Sequence, residues 1–232
     1  MKLVKDGRSF HDALSATIKG GAQHVVTCEE VHSAMVMVPD VIVGRRLTFE
    51  DYTTVPDDQD YEIFDGALFE APSRRPRHQV TAFQVACAFS QHCRERDLGD
   101  VIPDADLIVT DGNVYVSPDL MYFARERYQQ IDPDELIRAI PDLVVEVVSP
   151  TGKAYDRVTK RRVYAHLGIQ HYWVFDPQPG IVIEHVLQDD RIYSEEIHGP
   201  HAAFRPKLVP DFVLPPIGFF PNWDHFLIIG GW

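Results

Sequence analysis

Glu146 is the residue whose position most needs an explanation. It stands inside Leu143-Val144-Val145-Glu146-Val147-Val148, a continuous apolar run of the kind that makes a central strand buried on both faces. Strand alternation puts its carboxylate on the face of Val144 and Val148. An ionised carboxylate there costs on the order of several kcal/mol unless it is paired or bound to a cation. Two readings meet that demand. One is a salt bridge to a Lys or Arg of the following helix; the other is a metal ligand or catalytic acid.

A second carboxylate weighs toward the latter. Asp119, in Ser117-Pro118-Asp119-Leu120, heads the apolar strand LMYF, and Pro118 suits a strand start or a sheet edge. A Pro-Asp pair says little by itself, since Pro103-Asp104 and Pro141-Asp142 also occur. The order is what counts: Pro-Asp opens one strand, and a carboxylate lies inside the next apolar one. Neighbouring strands lie about 5 Å apart. Two such carboxylates can share one Mg²⁺, with waters completing the octahedron.

The helix expected over 154–167 supplies the third group. Asp156, Lys160 and Tyr164 follow one another at i, i+4 and so share a face. Lys153, Arg157, Arg161 and Arg162 make this the densest basic stretch of the chain. It is either a solvated helix face or the source of a lysine, Lys160, that reaches back to the carboxylates. There an ammonium could orient a nucleophilic water or offset charge on a phosphorus centre. In the second case Lys160→Ala should leave folding intact, with Asp156 holding the ammonium. His78 opens the longest helix beside Arg74, Arg75 and Arg77, where a helix N-terminus favours anions. It reads as a phosphate contact or as a plain polar helix start.

The elements that must hold these groups are legible in outline. Thr48 can N-cap a short helix, 49–55, ending before Pro56. Strands at 61–64 and 67–71 flank Asp65-Gly66, a two-residue hairpin signal. Residues 76–96 give the longest helix, with Val80, Phe83, Gln84, Ala86, Cys87 and Ser90 as its inner face and Leu98-Gly99 as its stop. Short strands follow at 101–102, 107–110, 114–116, 120–123 and 143–148. After the basic helix, closed by Gly168, come strands at 172–175, 181–187 and 191–197. Trp173 is expected in the core, as are the thiols of Cys87 and Cys93. From Gly199 the chain is rich in proline and aromatics, which suits a tail packed over a surface.

Taken together, LTFEDYTTVPDDQDYEIFDGALFE, SRRPRHQ, VYVSPDLMYF, PDLVVEVVSP and YDRVTKRRVYAHLGIQHYWVFDP resemble the Uma-two family of putative restriction endonucleases, within the PD-(D/E)XK nuclease superfamily. The resemblance runs from about Leu47 to Asp176 and more weakly to about Leu214. It implies an α/β, mixed α+β fold: a restriction-endonuclease-like core with a mixed β-sheet flanked by helices. It implies that Asp119 and Glu146 are the metal-binding acids of the motif and that Glu62, in YEIFDG, completes the metal shell. The superfamily's lysine two residues after the second acid is absent, since Val148 stands there. The resemblance puts that lysine on the next helix, at Lys160, with Lys153 the weaker substitute.

Composition bounds the rest. The chain has 232 residues, 22 Lys+Arg against 35 Asp+Glu, and a net charge of −13. That argues against a protein that coats nucleic acid non-specifically, which needs clustered cations. It does not exclude a nuclease, because carboxylates that hold a metal are acidic by necessity. No apolar run approaches the roughly 20 residues that span a bilayer. Three scattered cysteines without C-x-x-C exclude a disulfide scaffold or zinc ribbon and point to a reducing, cytoplasmic setting. Residues 1–36 show no sustained period and are expected to add little stability; 1–44 read as an N-terminal extension. Residues 45–214 then form the nuclease-like domain and 215–232 a C-terminal tail. The expected function is Mg²⁺- or Mn²⁺-dependent endonucleolytic hydrolysis of DNA by a homodimer. Asp119, Glu146, Glu62 and Lys160 would act at the site, and Arg77, His78, Arg157 and Arg161 would contact nucleic acid. The alternative is a non-catalytic member of the same fold that binds nucleic acid or protein.

Overall fold

A computed structural model describes residues 47–53, 61–64, 66–70, 74–109, 113–148, 155–209 and 211–215. In chain order its elements are α1 (Phe49–Tyr52), β1 (Tyr61–Phe64), β2 (Ala67–Glu70), α2 (Pro76–Glu95), β3 (Gly99–Pro103), β4 (Leu107–Val109) and β5 (Val114–Val116). Then come β6 (Leu120–Ala124), α3 (Arg125–Tyr128), β7 (Leu143–Val147), a π-helical stretch (Tyr155–Lys160), α4 (Arg161–Leu167), β8 (His171–Asp176), β9 (Ile181–Leu187) and β10 (Tyr193–His198). Two units are distinguished: the described parts of 1–71 with 108–116, and of 72–107 with 117–232. The expected extension 1–44, the tail beyond 215, Cys28 and Lys153 lie outside the described residues.

The first unit is built on a four-stranded sheet in the order β2-β1-β5-β4. β1 and β2 form the hairpin that Asp65-Gly66 foretold, with Phe64 opposite Ala67 and Gly66 at φ 78°. Thr48 starts α1, and its backbone N–H donates to the Asp51 carboxylate at 2.8 Å, the returning half of a capping box. Tyr61, Ile63, Ile108 and Tyr115 make a small core, against which Leu47, Phe49 and Tyr52 pack.

The second unit holds a six-stranded sheet in the order β10-β9-β8-β7-β6-β3. Only β7 and β8 run parallel, Leu143 beside His171, and the π stretch and α4 supply the crossover such a pair requires. β7 is buried along its whole length, as its unbroken apolar run demands. On one face Leu143, Val145, Val147, Trp173 and Phe175 meet Val85 and Phe89 of α2. Phe204, Val209, Phe212 and Leu214 of the proline-rich segment join the same core, and Trp173 packs edge-on to Phe204 at 5.0 Å. Among the described residues no helix is long and apolar enough to cross a membrane.

Three expectations about the helices need correction. α2 buries His78, Thr81, Ala82, Val85, Ala86, Phe89 and Cys93, whereas Phe83 is 69% exposed and Val80 and Cys87 are exposed as well. The helix carries two apolar stripes, and the sheet takes Ala82-Val85-Phe89-Cys93. The stop of α2 is not glycine: Asp97 takes the left-handed position at φ 55°, and the Leu98 N–H closes on the Cys93 carbonyl at 3.0 Å. Gly99 instead opens β3 at φ 126°, where a Cβ would sit 2.1 Å from the Phe123 carbonyl oxygen. The basic helix is not one α-helix; Tyr155–Lys160 is π-helical, and only Arg161–Leu167 is α-helical, closed by Gly168 at φ 78°.

Candidate active site

Glu146 is 3% exposed, in the middle of β7, on the sheet face opposite α2. Its Oε1 accepts two hydrogen bonds, from Lys160 Nζ at 2.8 Å and from the Tyr164 hydroxyl at 2.6 Å. Lys160 is 4% exposed and Tyr164 is fully buried, so both donors are as desolvated as the acid. Lys160 ends the π stretch and Tyr164 lies in α4. Residues four apart lie close together on a helix surface, so both side chains reach one oxygen. π turns are uncommon and cluster at functional sites. The salt bridge expected as the alternative and the lysine expected to reach back are therefore one contact.

Asp119 stands just before β6. The β6–β7 register pairs Met121 with Val144 and Leu120 with Val145, and one further step sets Asp119 opposite Glu146. Asp119 is 6% exposed. Its Oδ2 accepts the Val147 N–H at 2.7 Å and faces His78 Nε2 at 3.0 Å. The side chain thus ties the start of β6 to the end of β7, beside Glu146. Its backbone carbonyl accepts the Asp104 N–H at 3.2 Å.

His78 is 7% exposed, held against Asp119, and its Nδ1 has no hydrogen-bond partner among the described residues. Pro76 opens α2, where its missing N–H costs nothing, and so sets this first turn beside the acid. Arg74, just before the helix, donates to the Ser117 carbonyl at 3.3 Å and pairs with Asp104. Burial by itself opposes the Arg74 charge. The carboxylates of Asp119, Asp104 and Glu146 outweigh it and hold the guanidinium above its ordinary pKa.

The remaining expected residues are placed as follows. Glu62 is 2% exposed in β1 of the first unit, opposite Phe69, so it is not an outward-facing strand residue. Arg77 is exposed on the first turn of α2. Arg161 reaches Glu195 of β10 at 3.4 Å. The side chains of Asp156 and Arg157 lie outside the described residues. Two contributors were not singled out by sequence as site groups. Tyr164 could have been found, because a buried tyrosine hydroxyl needs a partner and Lys160 precedes it by four residues. Arg74 carried no signal beyond its basic neighbours.

The donor set suits a hard divalent cation. Asp119 and Glu146 offer carboxylate oxygens from neighbouring strands, the ligand type of Mg²⁺ and Mn²⁺. Among the described residues the contacts of the Asp119 carboxylate fall on Oδ2.

The Uma2 family model, described as "Putative restriction endonuclease", matches residues 48–216. The solved structure of a putative nuclease belonging to DUF820 from Anabaena variabilis superposes with a TM-score of 0.63 at 18% identity, covering 75% of this chain and 97% of that one. It establishes the fold. A curated relative, the uncharacterized protein slr1290 of Synechocystis sp., is 29% identical over 106 residues, 46% of this chain and 54% of its own. The chain thus spans about half the length of the curated relative it matches.

Proposed function

Because the chain belongs to the Uma2 family of restriction-endonuclease-like proteins, we propose that it is a divalent-metal-dependent endonuclease that hydrolyses phosphodiester bonds in DNA. The observation that carries this reading is the convergence of Lys160 and Tyr164 on Glu146, with Asp119 fixed to the end of the same strand. Asp119 and Glu146 would hold Mg²⁺ or Mn²⁺. Such an ion, when bound, makes a water a stronger nucleophile and offsets charge on the scissile phosphate.

The chain's own groups have separate tasks. Tyr164 holds Glu146 in one rotamer through its 2.6 Å hydrogen bond. Lys160 keeps a cation at the site and presents N–H donors to an attacking water or to a phosphate oxygen. The Val147 N–H and His78 orient Asp119. Arg74, which pairs with Asp104 and donates to the Ser117 carbonyl, would supply a cation to an incoming phosphate. A homodimer would give two such sites for two strands.

Supercoiled plasmid tests the proposal. The full chain with Mg²⁺ or Mn²⁺ should produce nicked and then linear DNA, and Asp119→Asn and Glu146→Gln should each abolish both products. Cleavage of RNA alone would change the substrate. No metal-dependent cleavage of either polymer would favour the non-catalytic binding reading.

A further inference from the structure

On the α2 face of the six-stranded sheet, away from Glu146, the β9–β10 hairpin carries a second unusual set of ligand-bearing side chains. The register places Trp173, Glu184 and Glu196 in one cross-strand row, with His198 two residues beyond Glu196 and so on the same face. Two carboxylates directly opposite each other on neighbouring strands repel. Here one of them, Glu184, is only 1% exposed.

The protein answers only part of that charge. The Lys207 N–H donates to Glu184 Oε1 at 2.7 Å, and the Lys207 ammonium to Glu196 Oε2 at 2.9 Å. Among the described residues, Glu184 Oε2 has no hydrogen-bond partner, and neither has His198 Nε2. His198 Nε2 stands 4.0 Å from Glu196 Oε1, too far for a hydrogen bond. One ligand atom from each of the three residues lies within 4.8 Å of the other two. Two buried ligand atoms of the cluster, Glu184 Oε2 and His198 Nε2, are thus left unsatisfied among the described residues.

We propose that Glu184, Glu196 and His198 form a second divalent-metal site, distinct from the Asp119–Glu146 site and suited to a zinc-like transition ion. One imidazole with two carboxylates suits Zn²⁺ or Co²⁺ better than Mg²⁺ and Ca²⁺, which prefer oxygen ligands. Zinc binds such atoms at about 2.0–2.2 Å, so the ligand atoms must draw in. The side chain of Glu196 is half-exposed, and swinging inward would take it off the Lys207 ammonium. The ion would take the place of the lysine on Glu196 and fasten the β9–β10 hairpin. Glu184 is already bound to the segment at Lys207, and so to the stretch that delivers Phe204, Val209 and Phe212 to the core. The proposal does not depend on nuclease activity.

Calorimetric titration of metal-stripped full chain with Zn²⁺, beside Co²⁺ titration followed by visible absorption, tests the site. Wild type and Asp119→Asn should both bind Zn²⁺ with a nitrogen- and oxygen-ligated Co²⁺ spectrum. Glu196→Gln and His198→Gln should weaken that binding on the order of 100-fold, the upper range for loss of even an outer partner of a metal ligand. Glu196→Gln alters a half-exposed side chain, so it keeps the test valid if His198→Gln folds poorly. Retention of full affinity in Glu196→Gln, loss of all Zn²⁺ binding in Asp119→Asn, or no binding by wild type would each overturn the proposal.

Discussion

Lys160→Ala is the most informative single change. Both side chains of the Lys160–Glu146 pair are 5% exposed. Deleting the ammonium would leave a buried carboxylate with the Tyr164 hydroxyl as its remaining side-chain donor of the two described above. Breaking a buried pair from one side costs about 3–5 kcal/mol, far more than the 0–1 kcal/mol of a surface pair. In a chain of this size that is a fall in thermal midpoint of roughly 6–20 °C. The expectation from sequence, that Lys160→Ala leaves folding intact, is therefore corrected by the burial of the lysine. Lys160→Met with Glu146→Leu removes both charges at similar volume and should recover most of the loss. Urea unfolding of the wild type, the two single variants and the double variant measures the coupling energy, expected at about 3 kcal/mol or more. A coupling below about 1 kcal/mol would show that the pair is solvated and that the site geometry described above is wrong. Plasmid nicking by Lys160→Ala, measured well below its lowered midpoint, should fall by about 100-fold or more.

Other expected outcomes are independent of that pair or only partly coupled to it. Tyr164→Phe removes a hydroxyl donor to a buried carboxylate and should cost roughly 1.5–3 kcal/mol in urea unfolding; an unchanged midpoint would mean that Glu146 draws nothing from it. Burial first, and then the nearby Arg161 charge, push His185 down to about 4 from 6.5. The folded state thus binds its proton less readily than the unfolded chain. The contribution is complete above pH 6.5 and is lost as pH falls toward 4, by up to about 3 kcal/mol. A His185→Gln variant should flatten the acid limb of the stability profile; an unchanged limb would refute the assignment. Gly99→Ala meets a carbonyl oxygen at 2.1 Å and should destabilise by more than about 1 kcal/mol, read from its thermal midpoint. Burial, with Asp100 nearby, pushes the Cys93 thiol up to about 12. Peptide mapping after brief iodoacetamide treatment should therefore find Cys87 alkylated in the folded protein and Cys93 only after unfolding; equal labelling would refute the burial of Cys93.

What the sequence revealed followed from local physics. Asp65-Gly66 between two short apolar runs has few alternatives to a hairpin, and LVVEVV has few alternatives to a central strand. An acid in such a strand is conspicuous because neither face offers water, so Glu146 could be identified without coordinates. The inner face of α2 could not. Phe83 and Phe89 lie on different stripes, and only the shape of the sheet decides which is covered. The π turn was equally hidden, since hydrophobic spacing over six residues does not separate it from an α turn. Glu184 shows a different failure. Ile181-Val182-Ile183-Glu184-His185-Val186-Leu187 sets an acid in an apolar strand just as the Glu146 run does. It is inconspicuous because no Pro-Asp strand start or basic helix stands near it to suggest chemistry.

A buried Lys–Glu pair is a poor way to add stability, since well-packed apolar side chains of similar volume often do as well or better. Stability alone therefore does not account for the arrangement. Position does. Glu146 Oε1 is fixed by donors from two successive helical segments, and Asp119 Oδ2 by a backbone N–H of the strand that carries Glu146. A slip of one residue between β6 and β7 would turn one acid to the opposite sheet face and break the Val147 bond at once. The register that buries Leu120 and Val145 in the α2 core is thus the same register that brings the two carboxylates side by side. Hydrophobic packing on one face of the sheet sets the geometry of the charged groups on the other. The site is held in that geometry by the protein itself, so a ligand need not supply the cost of assembling it.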